Sequence, residues 1–319
     1  MYTDIHTDFI LTPIRSILEQ GINASQSLSS GIESFPISEY HLQSLFLRMT
    51  GASEQKMKCI LWQMATDDFE YRYKYLNYQG MGECSTYNSK NVVFRDLISQ
   101  ITQKYPSFTI SSIWSDFVYD EATIANERTK WEDKVKKSKQ AQIDYLISKN
   151  IEKGKPLTDE QKEKMREGIM KNAFKKEDFV IHLDANKRRS VISQLLSQLC
   201  KLLQGTNLAV WRTTDFGNFS SKCQTTIKGC EIAEANKDGL NLFCGSMIKM
   251  YESLVYLHRN RTAHNTVVYQ KNLPALETLA GKDYYLQNYF FRFALIIVMD
   301  EVFMRLYKSY LQVYSPHRQ

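Results

Sequence analysis

The chain has 319 residues, 43% of them hydrophobic, which is enough to build a sizeable core and excludes a wholly disordered protein. Its 13 glycines and 6 prolines amount to about half of average usage; that shortage of turn formers disfavours many-stranded sandwiches and barrels and points to an all-α fold. Forty-one basic against 35 acidic residues give a net charge of +6, an excess that permits an anionic partner without requiring one.

From the N-terminus, Leu42, Leu45, Phe46 and Met49 recur at helical spacing, and Ser53 opens a second run through Met57, Ile60, Leu61 and Met64. The stretch that follows carries Phe69, Tyr71, Tyr73, Tyr75 and Tyr78 interleaved with Arg72 and Lys74. Its alternation fits a strand as well as a helix, and packing outweighs base stacking as its use. Between Arg128 and Asp178 the composition shifts to 15 basic and 10 acidic residues with the signs mixed, the pattern of a solvated helical hairpin rather than of an RNA-tracking arm. Within it, Thr158 and Gln161 have capping-box spacing just after the breakers Gly154 and Pro156.

Beyond Asp184, Val191, Leu195, Leu199 and Leu202 form one stripe, which ends at a break through Gly205 and Gly217. Further helices are expected over Thr225–Ala235, Leu242–Leu257 and Tyr284–Val313. These shifts divide the chain into a mostly helical N-terminal domain of unassigned role (1–127), a charged helical insertion or linker (128–183) and a compact C-terminal domain of four helices (184–319). The apolar residues of the last helix spread around more than one face. Either a dimer interface or the chain's own core would bury them.

Six scattered cysteines without a C-x-x-C pair suggest buried, reduced thiols and a cytoplasmic protein, and the N-terminal MYTDIHTDFI carries acids where a secretory signal carries bases. The longest apolar stretch near the C-terminus, Phe293 to Met299, falls far short of the ~20 residues of a spanning helix, so no membrane association is expected. No Walker, G-x-S-x-G or H-E-x-x-H sequence is present, and Asp215-Phe216-Gly217 lacks the other kinase signatures. Cys223 and Cys230 are spaced too widely for a typical zinc pair, so neither metal nor cofactor is expected.

Chemistry concentrates in one place. Residues 257–265 read L-H-R-N-R-T-A-H-N, with Arg259 five positions before His264. Metal-independent RNA cleavage needs a base for the ribose 2′-hydroxyl, an acid for the leaving 5′-oxygen and a cation for the phosphorane charge; histidine suits the first two tasks and arginine the third. Asn260 can orient phosphate or the histidine, and His258 and Arg261 are further candidate RNA contacts, His258 being better suited to packing. On an unbroken helix Arg259 and His264 lie ~140° apart, so the helix must end or bend between them, or a second subunit must complete the site. Glu252, seven residues before Arg259, falls within ~20° of its face and could orient the guanidinium.

Arg259-Asn260-Arg261-Thr262-Ala263-His264, set between the third expected helix and a long final one, resembles the R-N-x-x-x-H motif of the HEPN superfamily, over roughly Asp184 to Gln319. The resemblance implies a four-helix domain that dimerises and acts as a metal-independent endoribonuclease in antiviral defence, toxin systems or RNA processing. Arg259 and His264 would form its catalytic pair, Asn260 would support them, and an antitoxin or regulatory protein would be a further partner. It also implies an alternative, because some members bind nucleotides, RNA or proteins without cutting RNA.

Overall fold

The computed structural model describes residues 5–27, 34–77, 82–152, 157–171, 173–210, 213–236, 239–264 and 287–314. Apart from one two-stranded hairpin, the regular elements among these residues are helices, and the fold is all-α. The chain divides into two compact units, one built from residues 1–113 and 192–319, the other from residues 114–191.

The first unit begins with α1 (Ile5–Leu11), α2 (Arg15–Ser25), α3 (Phe35–Asp67), α4 (Phe69–Leu76) and α5 (Tyr87–Lys104). The expected helix start at Ser53 is absent, because α3 runs unbroken for 33 residues. Ser53 is buried in phase with Met49 and Met57, four residues to either side, so its hydroxyl lies on the apolar stripe instead of capping a helix. The tyrosine-rich stretch is helical as far as Leu76: Asp68 caps α4 by accepting from the Tyr71 N–H at 2.8 Å, and Tyr78 lies outside the described residues. Tyr71 is buried, whereas Phe69 and Tyr73 face solvent.

The second unit contains α6 (Glu121–Glu152), α7 (Asp159–Lys171) and α8 (Lys176–Leu203) as far as Val191. Trp131 and Phe179 pack together in its core, half-buried His182 and exposed Phe174 set their rings against Trp131, and the Arg128 guanidinium lies 4.9 Å from the centre of the Phe179 ring. Thr158 and Gln161 close a reciprocal capping box at the start of α7, at 2.9 and 3.3 Å. The charges of this segment pair along their own helices, as in Lys162–Asp159 and Lys164–Glu160, both at 2.8 Å. Gly154 and Pro156 lie outside the described residues.

The rest of α8 returns to the first unit and is followed by the short helices α9 (Asn207–Val210), α10 (Thr213–Asn218) and, after a π turn, α11 (Gln224–Gly229). The helix expected over Thr225–Ala235 stops at Gly229, and β1 (Ile232–Asn236) pairs antiparallel with β2 (Gly239–Phe243), Ile232 opposite Phe243. Burial of Ile232, Leu242 and Phe243 favours the strands, and Asp238-Gly239 is a hairpin signal in the sequence. Asn91 and Tyr87 of α5 fix β2 by accepting from the N–H groups of Leu242 and Phe243 at 2.9 and 3.1 Å. Helical backbone then runs without a break from Gly245 to His264 as α12 (Gly245–Met250), a π segment (Tyr251–Tyr256) and α13 (Leu257–His264).

The last helix, α14 (Tyr289–Tyr314), buries 18 of its 26 residues. The expected start at Tyr284 lies outside the described residues. Phe290, Phe291, Phe293, Ile296, Ile297 and Phe303 are all buried within the chain, which resolves the two readings of its apolar faces: they form the core, and none is left as a dimer surface. That core is shared with α1, α3 and α5. Residues of the expected domains 1–127 and 184–319 therefore belong to one body, because much of the apolar surface of α14 is covered by α1, α3 and α5 from the start of the chain. Among the described residues no helix is long and apolar enough to cross a membrane.

Candidate functional site

Arg259 sits in the first turn of α13, facing α3 across a narrow cleft. Its Nη2 donates to Glu54 Oε2 at 3.2 Å and its Nη1 to the side-chain oxygen of the adjacent Asn260 at 3.1 Å. The other oxygen of Glu54 accepts from Lys58 Nζ, one turn along α3, at 2.9 Å. One carboxylate thus holds two cations. Burial works against its charge, but Lys58, Arg259 and Lys90 together keep Glu54 below the usual carboxylate range.

Lys90 is the third cation. It is almost fully buried on α5 and donates to the Cys84 carbonyl, and burial, with Arg259 and Lys58 nearby, holds it down to about 8. Glu54, Lys90 and Arg259 line the cleft together with Thr50, Ser85, Tyr251, Val255 and Tyr256. The interior has room for about one water-sized sphere (≈ 10 Å³), so a larger anion would have to engage the cations from the open side.

The expected helper, Glu252, is not part of this arrangement. The π segment puts Tyr251 and Val255 on the cleft wall beside Arg259 and leaves Glu252 exposed, because a π turn carries an extra residue and shifts the phase of what precedes it. Glu54, from an element 205 residues away, contacts the guanidinium instead. Sequence reasoning missed Glu54, Lys58 and Lys90. An i,i+4 Glu-Lys pair and a lysine set among Tyr87, Phe94 and Leu97 were the available signals.

His258 packs in the core. Its ring lies 5.1 Å from Phe46 and 5.5 Å from Tyr289, and Nε2 is 3.2 Å from the Tyr289 hydroxyl. Burial, with Arg292 and Arg261 nearby, holds its pKa down to about 3, so at neutral pH it is an uncharged packing group and a poor proton donor. Arg261 is exposed.

His264 is the last residue of α13, and its side chain lies outside what is described, as does the polar loop expected after it. The backbone is informative nonetheless. The α-helix continues from Arg259 to His264, so at regular helical pitch the two positions stand ~140° apart around its axis. Among the described residues no three His, Cys, Asp or Glu side chains gather as a metal-ligand set. Compared with protein-family models, with curated proteins and with solved structures, the chain matches none.

Proposed function

We infer that the protein is a metal-independent endoribonuclease whose Arg259 stabilises phosphorane charge and whose His264 transfers protons, giving 2′,3′-cyclic phosphate and 5′-hydroxyl ends. The observation that carries this reading is the placement of Arg259: it is held at a cleft by Glu54 and Asn260, with Lys58 and Lys90 adding positive charge, five residues before His264 on the same helix. A guanidinium fixed before substrate arrives loses little freedom when it meets a phosphate. Because the unbroken helix turns His264 away from Arg259, the reading requires a homodimer in which each site draws on both copies. Antiviral defence or a toxin system held in check by a second protein is the setting that the resemblance to HEPN proteins suggests.

A second reading has its own observation. Arg259 is already engaged by a carboxylate, which suits a structural arginine in a non-catalytic nucleotide-, RNA- or partner-binding protein. Cleavage of end-labelled total RNA and tRNA in excess EDTA by the full chain, Arg259→Ala and His264→Ala separates the two. The nuclease reading expects cyclic-phosphate ends from the parent and none from either variant. Cleavage retained by both variants, or absent from the parent, favours the binding reading.

A further inference from the structure

Two cysteines meet at the base of the β1–β2 hairpin. Cys230 follows α11 and Cys244 precedes α12, and the Cys244 N–H donates to the Glu231 carbonyl at 3.0 Å, which holds the two chain segments side by side. Both sulfurs converge on one hydroxyl: Ser246 Oγ is 3.2 Å from Cys244 Sγ and 3.8 Å from Cys230 Sγ. Each is partly open to solvent, whereas Cys59, Cys84 and Cys200 are buried.

The two thiols are unlike in character. Burial tends to raise Cys244, but the Ser246 hydroxyl, the Met247 N–H, the Cys230 thiol and the Glu231 N–H all favour its thiolate, and together they bring it below the ordinary thiol range. Cys230 is pushed up to about 11, by burial and by the neighbouring Cys244 charge, and its thiol donates to the Thr226 carbonyl at 3.3 Å. One accessible sulfur is therefore the nucleophile, and the other waits within reach as the resolving thiol.

We propose that Cys230 and Cys244 form an oxidation site that takes hydroperoxides and closes a reversible disulfide across the base of the hairpin. In the first step the Cys244 thiolate attacks an oxygen of the peroxide, the O–O bond breaks, and the other oxygen leaves as alcohol, or as water from hydrogen peroxide, after taking a proton. Sulfur is oxidised to the sulfenic acid and the peroxide is reduced. The Cys230 sulfur then attacks Cys244, the S–O bond breaks, and the hydroxyl leaves as water with the Cys230 proton. The disulfide ties the end of α11 to the start of the helical run that carries Arg259, closing the hairpin that Asn91 and Tyr87 hold on α5. This inference is independent of RNA cleavage.

The test uses the full chain, treated with a small excess of hydrogen peroxide with and without dimedone, followed by peptide mapping. The expected product in the parent is a Cys230–Cys244 disulfide that dithiothreitol reverses. Cys230→Ser should instead accumulate a dimedone adduct on Cys244, and Cys244→Ser should give neither. At neutral pH the untreated protein should alkylate at Cys244 at least roughly tenfold faster than at Cys230. A disulfide through Cys223, a dimedone adduct confined to Cys230, or unmodified thiols at 230 and 244 after peroxide would each overturn the proposal. Circular dichroism of both variants reports whether they fold, and the alkylation ratio in the parent tests the assignment without any substitution.

Discussion

Lys56 and Asp300 are 2% and 3% exposed, and Lys56 Nζ donates to Asp300 Oδ1 at 2.6 Å and to the Thr12 carbonyl at 2.5 Å. The other oxygen of Asp300 accepts from the Ile14 N–H at 2.7 Å, so a single carboxylate joins the α1–α2 corner, α3 and α14. Burial disfavours both charges, lowering Lys56 and raising Asp300, and the pair is worth little compared with well-packed apolar residues. Breaking it is another matter. Asp300→Ala should cost ~3–5 kcal/mol by leaving a buried cation unpaired, and Lys56→Met combined with Asp300→Leu should recover most of that, as read from urea midpoints. His258 predicts a pH effect of definite sign. Its folded pKa of about 3 lies below the unfolded value near 6.5, so the unfolded chain binds the extra proton first. Stability from this group is complete above about pH 6.5 and is lost progressively as pH falls towards 3. His258→Phe, which keeps the ring contacts with Phe46 and Tyr289, should shift the acid-unfolding midpoint to lower pH.

Close helix approach sets the next level. A Cβ added at Gly21 in α2 would stand 2.3 Å from Leu45 Cδ2 in α3, so this glycine lets the two helices come together where a larger residue would push them apart. Gly21→Ala should destabilise by about 1–3 kcal/mol. Leu45→Ala makes room for the methyl, so the double variant should lose less than the two singles added, and a double-mutant cycle measures the difference. Element by element, the sequence was most readable where one stripe met one period. Leu42 through Met64 predicted burial throughout, and the Thr158 capping box formed as its spacing required. Residues 232–235 and 242–243 were misread as the end of one helix and the start of the next because apolar residues three and four apart also occur in a hairpin, and Asp238-Gly239 was the signal against it. The π segment was invisible for a related reason: it depends on how Tyr251 and Val255 pack against distant helices, and it alone displaced Glu252 from the guanidinium. Arg259 could be named from its neighbours in sequence, but Glu54 could not, since their meeting is a property of the tertiary fold.

For the whole molecule, the decisive arrangement is the sharing of one core by the first 113 residues and those after 191. A fragment covering 184–319 contains the motif but lacks α3 and α5, so α14 would lose the cover of both helices, including the Phe94 ring beside Phe303. That fragment alone should show no cooperative thermal transition by circular dichroism. Co-refolding with residues 1–113 should restore one, whereas an independently folding C-terminal domain would melt cooperatively without help. Compositional boundaries in the sequence follow charge, and charge reports solvent rather than which apolar faces will meet.

The same arrangement governs how the protein is made. α3 ends at Asp67 and α14 begins at Tyr289, so synthesis at ~5–20 residues per second leaves the faces of α3 that α14 will cover open for ~10–40 s while the intervening chain is translated. During that interval Leu42, Phe46 and Met64 are available to other nascent chains as well as to their own partners. A ribosome that stalls before residue 289 therefore releases a sticky intermediate rather than a smaller folded protein, and the yield of native chain depends on elongation speed and on chaperones that shield α3.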